Sequence, residues 1–311
     1  MTRNAQKPQV VPCDTTALKE LLEIAARASK GKLPERSRAL GELHRSGVNV
    51  LFSIWVEPET RKKEIGVGSA ATGSSTGHKY MARIGEGGIS LPTGKYYVTK
   101  EAQYTEHIRA SCAMAASNMN ADGATLAASN GAMLASSVDA SVAFSVEKQV
   151  CGSQLRPDEA VNVANTTHIE KNIHRFKGLS WDDYFAGCGF TSTPREVNIE
   201  SLHHVEECLK IFGSPEFQSY AVWRCVDSIA SDMGDDMEKQ AFEFYSVEVM
   251  EIKKDMSREK RRVNMIAELI PEHFGRLFVS LDKARTFSHF HFVLDCSDAV
   301  VHGRMDTQKR K

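Results

Sequence analysis

Residues 85–98 read GEGGISLPTGKYYV, a stretch with four glycines, one proline and a pair of tyrosines. A phosphate-binding loop would follow its glycines with a lysine and point several backbone N–H groups at the anion. Here the pair Gly87–Gly88 is followed by Ile89, and Pro92 lacks a backbone donor. The stretch therefore predicts a structural corner with buried tyrosines, and it does not predict a nucleotide site.

Composition excludes several classes of protein. The chain has 311 residues, 41% of them hydrophobic, with a formal net charge of -1. That is enough apolar material for a large core, and the mixed charges give no basic surface for nucleic acid or anionic lipid. The first residues lack an apolar leader, and no run approaches the roughly 20 apolar residues of a membrane span. As written, the sequence predicts a cytoplasmic protein without a membrane segment.

Neither the cysteines nor the histidines predict a metal site. The seven cysteines are widely spaced, without a C-x-x-C pair, and this pattern is typical of buried reduced thiols. His289 and His291, with further donors at Asp295, Cys296 and His302, are the alternative, but nothing in the sequence fixes their geometry. We therefore predict no catalytic, cofactor-binding or metal-binding residues in this chain.

Helical periodicity dominates the sequence. Apolar residues three and four apart predict helices at 18–30 and 34–46, over most of 101–150 with a loop near 118–123, and repeatedly after residue 196. The stretch VNVLFSIWV at 48–56 instead favours a strand, with HKYMARI at 78–84 as its antiparallel partner. The predicted class is mainly α, with one small antiparallel hairpin.

The order of these landmarks resembles the neprilysin family of zinc metallopeptidases, in its amino-terminal region. LGELHRSGVNVLF at 40–52 and KYMARIGEGGISLPTGKYYV at 79–98 are similar to a helix, hairpin and Tyr-Tyr corner of that family. Later matches include the segment WDDYF at 181–185 and GRLFV at 275–279, and Glu147 resembles a family helix glutamate. The residues that carry the resemblance are Leu43, His44, Gly47, Gly88, Leu91, Pro92, Tyr96, Tyr97, Trp181, Tyr184, Tyr220, Trp223 and Gly275.

The resemblance implies a fold, a function and a set of boundaries. It implies a helical lid-type domain over 15–279, which encloses peptide substrates, with a flexible N-terminus at 1–14 and an irregular tail at 280–311. In the family, zinc is bound by a His-Glu-x-x-His helix, and this sequence contains no such spacing. We therefore expect zinc only with a separate catalytic domain and no activity from the chain alone.

Two hypotheses about its partners follow from that expectation. In the first, the chain packs against a catalytic metallopeptidase domain or a peptide, and it self-associates when that domain is missing. In the second, it is a non-catalytic helical module that binds a peptide or a protein. Family members are often membrane-anchored or secreted, which stands against the cytoplasmic location that the sequence as written predicts.

Overall fold

A computed structural model describes residues 15–58, 80–121, 126–154, 166–168, 176–194, 196–252 and 263. The chain divides into two compact units, Met1–Glu251 and Ile252–Lys311, and the elements below belong to the first. Gly275 and the predicted end segments 1–14 and 280–311 lie outside the described residues, so the boundaries at 15 and 279 remain predictions. Within the described ranges, no helix has both the length and the hydropathy to cross a bilayer.

The first unit is mostly helical, as predicted, with one small sheet. Its helices are α1 (Thr16–Ser29), α2 (Leu33–Arg45), α3 (Tyr96–Thr99), α4 (Glu101–Ala121), α5 (Leu126–Ser136), α6 (Ala140–Gly152), α7 (Trp181–Gly187), α8 (Leu202–Phe212), α9 (Phe217–Ile229) and α10 (Asp235–Ala241). A 3₁₀ turn at Ala230–Asp232 follows α9, and a π-helix at Phe242–Val249 continues α10. The strands are β1 (Phe52–Pro58), β2 (Tyr80–Glu86), β3 (Thr166–His168) and β4 (Glu196–Ile199).

The helices at the start of the chain form for the reasons that their sequence suggests. Leu18, Leu21, Leu22 and Ala25 recur three and four apart, and all four are buried on one face of α1. Pro34 lies in the first turn of α2, where its missing N–H costs no helical hydrogen bond. α1 and α2 each pack against the core, whose centre is α9, with eight buried residues between Phe217 and Val226.

The sheet is larger than the predicted hairpin. β1 and β2 pair antiparallel, from Phe52 opposite Glu86 to Pro58 opposite Tyr80, which confirms the hairpin. β4 then adds parallel to β2, and β3 adds antiparallel to β4, so the order is β1-β2-β4-β3. The helix predicted after residue 196 carries Leu202 and is confirmed, but the strand Glu196–Ile199 before it was not predicted. A four-residue strand is too short to show a clear period of two, although Val197 and Ile199 do alternate as buried residues.

Two predicted helix boundaries also need correction. α4 continues past the predicted loop start at Asn118 to Ala121, and an unpredicted break separates α5 from α6. Asp139 causes that break, since its carboxylate accepts hydrogen bonds from the N–H groups of Ser141 and Val142 and caps α6. Ser214, predicted as a cap, instead lies in a turn before α9.

Helices α2 and α7 cross at a pair of glycines. A Cβ atom on Gly41 would collide with the backbone carbonyl oxygen of Tyr184, and one on Gly187 would collide with that of Arg38. Neither backbone can yield as a flexible side chain would. The two glycines therefore permit a closer approach of the helix axes than any other residue would allow.

Gly41→Ala is therefore expected to lower the free energy of unfolding by about 1–3 kcal/mol, because it forces the helices apart. Urea unfolding measures the loss. Gly152→Ala is the matched control, since a Cβ atom there meets nothing within 4 Å. Equal stabilities of the two variants would show that the helices do not cross this closely.

Candidate functional site

The corner at 85–98 lies over a buried carboxylate. Glu147, on α6, has no exposed surface. Its carboxylate accepts hydrogen bonds from the hydroxyls of Tyr97 at 2.6 Å and Tyr104 at 2.9 Å. The indole N–H of Trp223 donates at 3.1 Å, and the backbone N–H of Ser90 donates as well. Donors from the corner, α3, α4 and α9 thus converge on one side chain.

A second carboxylate, Asp227 on α9, extends this cluster. The Asp227 carboxylate accepts from the hydroxyls of Ser90 and Tyr245, each at 2.7 Å. The Arg224 guanidinium donates to Asp227 at 3.1 Å and also to the Ser90 hydroxyl. We call these residues the Glu147 cluster: Ser90, Tyr97, Tyr104, Glu147, Trp223, Arg224, Asp227 and Tyr245.

Burial and charge act in opposite directions within this cluster. Desolvation raises the pKa of Glu147, while the charge of Arg224 and the hydrogen bond from Tyr97 lower it. Desolvation also raises the pKa of Tyr97 and Tyr104 well above 10, so both phenols remain donors at any physiological pH. The cluster is therefore a set of neutral donors and one arginine around two carboxylates.

Gly88, one of the four glycines of the corner, takes part in a separate contact. Gly88 has φ of +74°, which favours glycine, and its carbonyl oxygen accepts from the Tyr220 hydroxyl at 2.7 Å. The same Tyr220 oxygen accepts from the backbone N–H of Leu51 at 3.0 Å. Tyr220 therefore joins the corner to the start of the sheet. These contacts explain why position 88 is a glycine and why position 220 is a tyrosine.

His44 forms a second junction, between helix α2, helix α7 and the start of the sheet. Its imidazole lies 2.7 Å from the Tyr184 hydroxyl and 2.8 Å from the carbonyl oxygen of Val50, and it is buried. Gly47 follows α2 with φ of +84° and lets the chain turn towards the sheet. Helix α2, helix α7 and the entry to β1 are thereby tied together.

The structure thus places the described resemblance residues in packing positions. Leu43, Leu91, Tyr97, Trp181, Tyr184, Tyr220 and Trp223 are buried, Tyr96 is half-buried against the core, and Pro92 is exposed in the turn. Sequence reasoning did not single out Tyr104 and Asp227, and it placed Tyr245 on a helix of the resemblance without a role in a polar cluster. In the sequence, these residues are only polar groups among apolar residues of a helix. Partly exposed residues give the same pattern, so the sequence could not show that they meet in a buried cluster.

Neither carboxylate is placed for catalysis. A general acid or base must reach a substrate, whereas Glu147 is sealed beneath the corner and its oxygens already accept from four donors. Among the described residues, no three His, Cys, Asp or Glu side chains are grouped closely enough to hold a metal ion. The Glu147 cluster is a structural junction.

A groove of about 840 Å³ lies between α6 and α8. Its wall includes Val142, Val146 and Ile211, with the charged side chains of Glu207 and Lys210 beside them. Glu207 and Lys210 pair with each other at 2.5 Å. An apolar wall beside charged groups of both signs suits a peptide better than a small anion.

Ser153, which lines this groove, pairs with the buried His204, but the pair lacks the features of a nucleophilic site. The Ser153 hydroxyl lies 2.8 Å from Nδ1 of His204 and also 2.8 Å from the carbonyl oxygen of Val150. Burial lowers the pKa of His204 to about 4, so it is a weak base. The backbone N–H of Ser153 is already bonded within its own helix turn, so it is not available to an oxyanion.

Comparison with known proteins agrees with this architecture. The sequence model of peptidase family M13 matches residues 13–288. Solved structures of the zinc metalloprotease Zmp1 from Mycobacterium tuberculosis have a similar fold at 18% identity. The open state has a TM-score of 0.64 over 86% of this chain and 38% of Zmp1. The inhibitor complex gives 0.60 over 85% and 38%, and the partially open state gives 0.56 over 92% and 44%.

The comparison with Zmp1 covers only part of the Zmp1 chains. The chain spans less than half the length of the Zmp1 chains that it resembles. At 18% identity, the likeness to Zmp1 shows the fold alone. No curated protein matches the sequence significantly.

Proposed function

Because the chain belongs to peptidase family M13 and matches its amino-terminal model, we propose that residues 15–279 enclose the peptide substrates of a zinc metalloendopeptidase. In this proposal the helical region forms a wall, and a His-Glu-x-x-His region encoded outside these 311 residues supplies zinc and hydrolysis. The observation that carries the proposal is the combination of the family match with a sequence that has no zinc-binding helix.

The polar residues of the described region support a structural role. The carboxylates and histidines that could have served as ligands instead join elements to one another, as Glu147 and His44 do. Zinc in hydrolytic sites takes three protein ligands and one water, and no such set of ligands is grouped in the described residues. The proposal therefore assigns the zinc-dependent step to no residue of the described region.

The groove between α6 and α8 is the candidate binding surface for the second hypothesis, a non-catalytic module that binds a peptide or protein. Its volume and its mixed lining of apolar, polar and charged side chains are compatible with a bound peptide. The two hypotheses differ in whether the groove acts together with a peptidase or without one.

The gene decides between these proposals. The nucleotide sequence on both sides of codons 15–279, read in all frames, is expected to encode His-Glu-x-x-His. The contiguous protein should then cleave a short peptide but not a folded protein, and it should lose this selectivity when residues 15–279 are removed. If no frame encodes the motif, the enclosing role is wrong and the binding module stands.

We also expect the chain alone to self-associate. Several apolar side chains are exposed in the described region, with Val56 at 53%, Tyr80 at 60% and Met133 at 68%. Exposed apolar surface of this kind marks an interface when its members are contiguous. Light scattering across a concentration series should show that the mean mass increases with concentration. In a separate fluorescence measurement, the chain should bind a hydrophobic dye. A monodisperse monomer without dye binding would contradict this expectation.

A further inference from the structure

The last helical segment of the first unit has an unusual geometry. Phe242–Val249 is a π-helix, and the N–H of Met250 that follows it donates to the carbonyl oxygen of Tyr245, five residues back, at 3.1 Å. A π-helix of this length is rare, and such segments are frequent at functional sites. The chain continues from this segment into the second compact unit, which begins at Ile252.

The imidazole ring of one histidine packs against this π-helix. The imidazole of His107, on α4, stacks on Phe244 with ring centroids 4.3 Å apart and planes 11° apart. Tyr245 meets the edge of the same imidazole at 5.2 Å, and Trp223 of α9 meets it at 5.7 Å. His107 is 6% exposed, and the described residues provide no hydrogen bond to its imidazole.

Other contacts also hold the π-helix. The Tyr245 hydroxyl donates to Asp227 at 2.7 Å, and Lys100 pairs with Glu248 at 3.7 Å. The second contact is partly exposed, so it adds little. Phe244 stacks on His107 and, at 5.4 Å, also on Tyr104, and Val249 is buried in the core. The contact with His107 is the closer of the two stacks.

We propose that His107 is an acid-sensitive latch, whose neutral imidazole holds the π-helix Phe242–Val249 on the core and whose protonation releases it. A charged imidazole beneath Phe244 would lie in a largely buried site among aromatic rings, where a charge is poorly solvated. Local opening of the π-helix exposes the ring to water and removes that penalty.

The charged and titratable groups around His107 determine the direction of the effect. They are Tyr104 on its own helix, Asp227 on α9 and Tyr245 on the π-helix. Burial lowers the pKa of His107 to about 4, and the charge of Asp227 offsets only part of that effect. Released, the ring returns to an ordinary value near 6.5. The open form therefore binds the proton more readily, and opening increases as pH falls below 6.5.

Linkage gives the size of the effect. With pKa values of about 4 in the closed form and 6.5 in the open form, the opening equilibrium rises roughly 8-fold from pH 7 to pH 5.5. This change is confined to one segment and precedes global unfolding. It alters the attachment of the residues from which the second unit continues.

Hydrogen–deuterium exchange of the full chain tests the latch. After correction for the intrinsic pH dependence of exchange, peptides covering 242–249 should exchange roughly 8-fold faster at pH 5.5 than at pH 7, while peptides of α1 and α9 keep their protection. His107→Phe keeps a stacking ring that cannot be protonated and should abolish the increase. His203→Phe, at an exposed histidine, should leave it unchanged.

Phe244→Leu provides a second, independent variant. Without the stack, exchange at 242–249 should already be fast at pH 7, and it should no longer depend on pH. The proposal is overturned if the increase persists in His107→Phe or in Phe244→Leu. It is also overturned if 242–249 gains exchange only together with α1 and α9.

Discussion

Replacing Glu147 by alanine is expected to lower the free energy of unfolding by about 3–5 kcal/mol, enough to unfold a protein of ordinary stability. The substitution leaves the hydroxyls of Tyr97 and Tyr104, the indole N–H of Trp223 and the N–H of Ser90 facing a buried cavity. Each buried donor without a partner costs free energy, and Arg224 loses one of its two nearby negative charges.

Two variants make this result specific to the carboxylate. Glu147→Gln keeps the size and one acceptor oxygen, so its loss should be smaller than that of alanine. Glu101→Ala removes an exposed carboxylate that pairs with Lys148 at 3.4 Å, and it should cost less than about 1 kcal/mol. Chemical unfolding followed by intrinsic tryptophan fluorescence measures all three. A Glu147→Ala variant as stable as Glu101→Ala would mean that the buried cluster does not exist.

The two buried histidines His44 and His204 are expected to destabilise the core by about 4 kcal/mol between pH 7 and pH 5. Burial lowers the pKa of both His44 and His204 to about 4, against 6.5 in the unfolded chain. The unfolded state therefore binds protons that the folded state does not, and stability is lost as pH falls from 6.5 towards 4. Each histidine contributes about 2 kcal/mol over this interval.

Glu147 acts in the opposite direction. Its pKa is raised in the folded state by desolvation, so the folded protein gains relative stability as Glu147 becomes protonated. Unfolding free energies measured by urea titration at intervals from pH 7 to pH 5 give the net slope. A parent protein whose stability rises from pH 7 to pH 5 would contradict the burial of His44 and His204.

The sequence predicted the elements whose patterns are long. The period of α1 and the β-branched run of β1 each extend over several residues, so the apolar face can be identified without knowing what covers it. Sequence analysis also recognised that the corner at 85–98 is structural, because Ile89 and Pro92 are incompatible with a phosphate loop.

The remaining features depend on contacts between distant residues. Gly41 and Gly187 are separated by more than a hundred positions, and only the crossing of α2 and α7 shows why both are glycine. β4 is a strand because β2 pairs with it, and four residues carry too little pattern to predict that. Tyr245 and Asp227 likewise meet only when the π-helix folds back on α9.

The most direct test of the central claim, that this chain is the non-catalytic amino-terminal region of an M13 peptidase, is the zinc content of the purified protein together with its peptidase activity. After dialysis, elemental analysis should give no stoichiometric zinc, and a quenched fluorescent peptide should remain uncleaved with or without a chelator. One zinc per chain with chelator-sensitive cleavage would contradict the account. His289→Ala and His291→Ala would then show whether those histidines bind the metal.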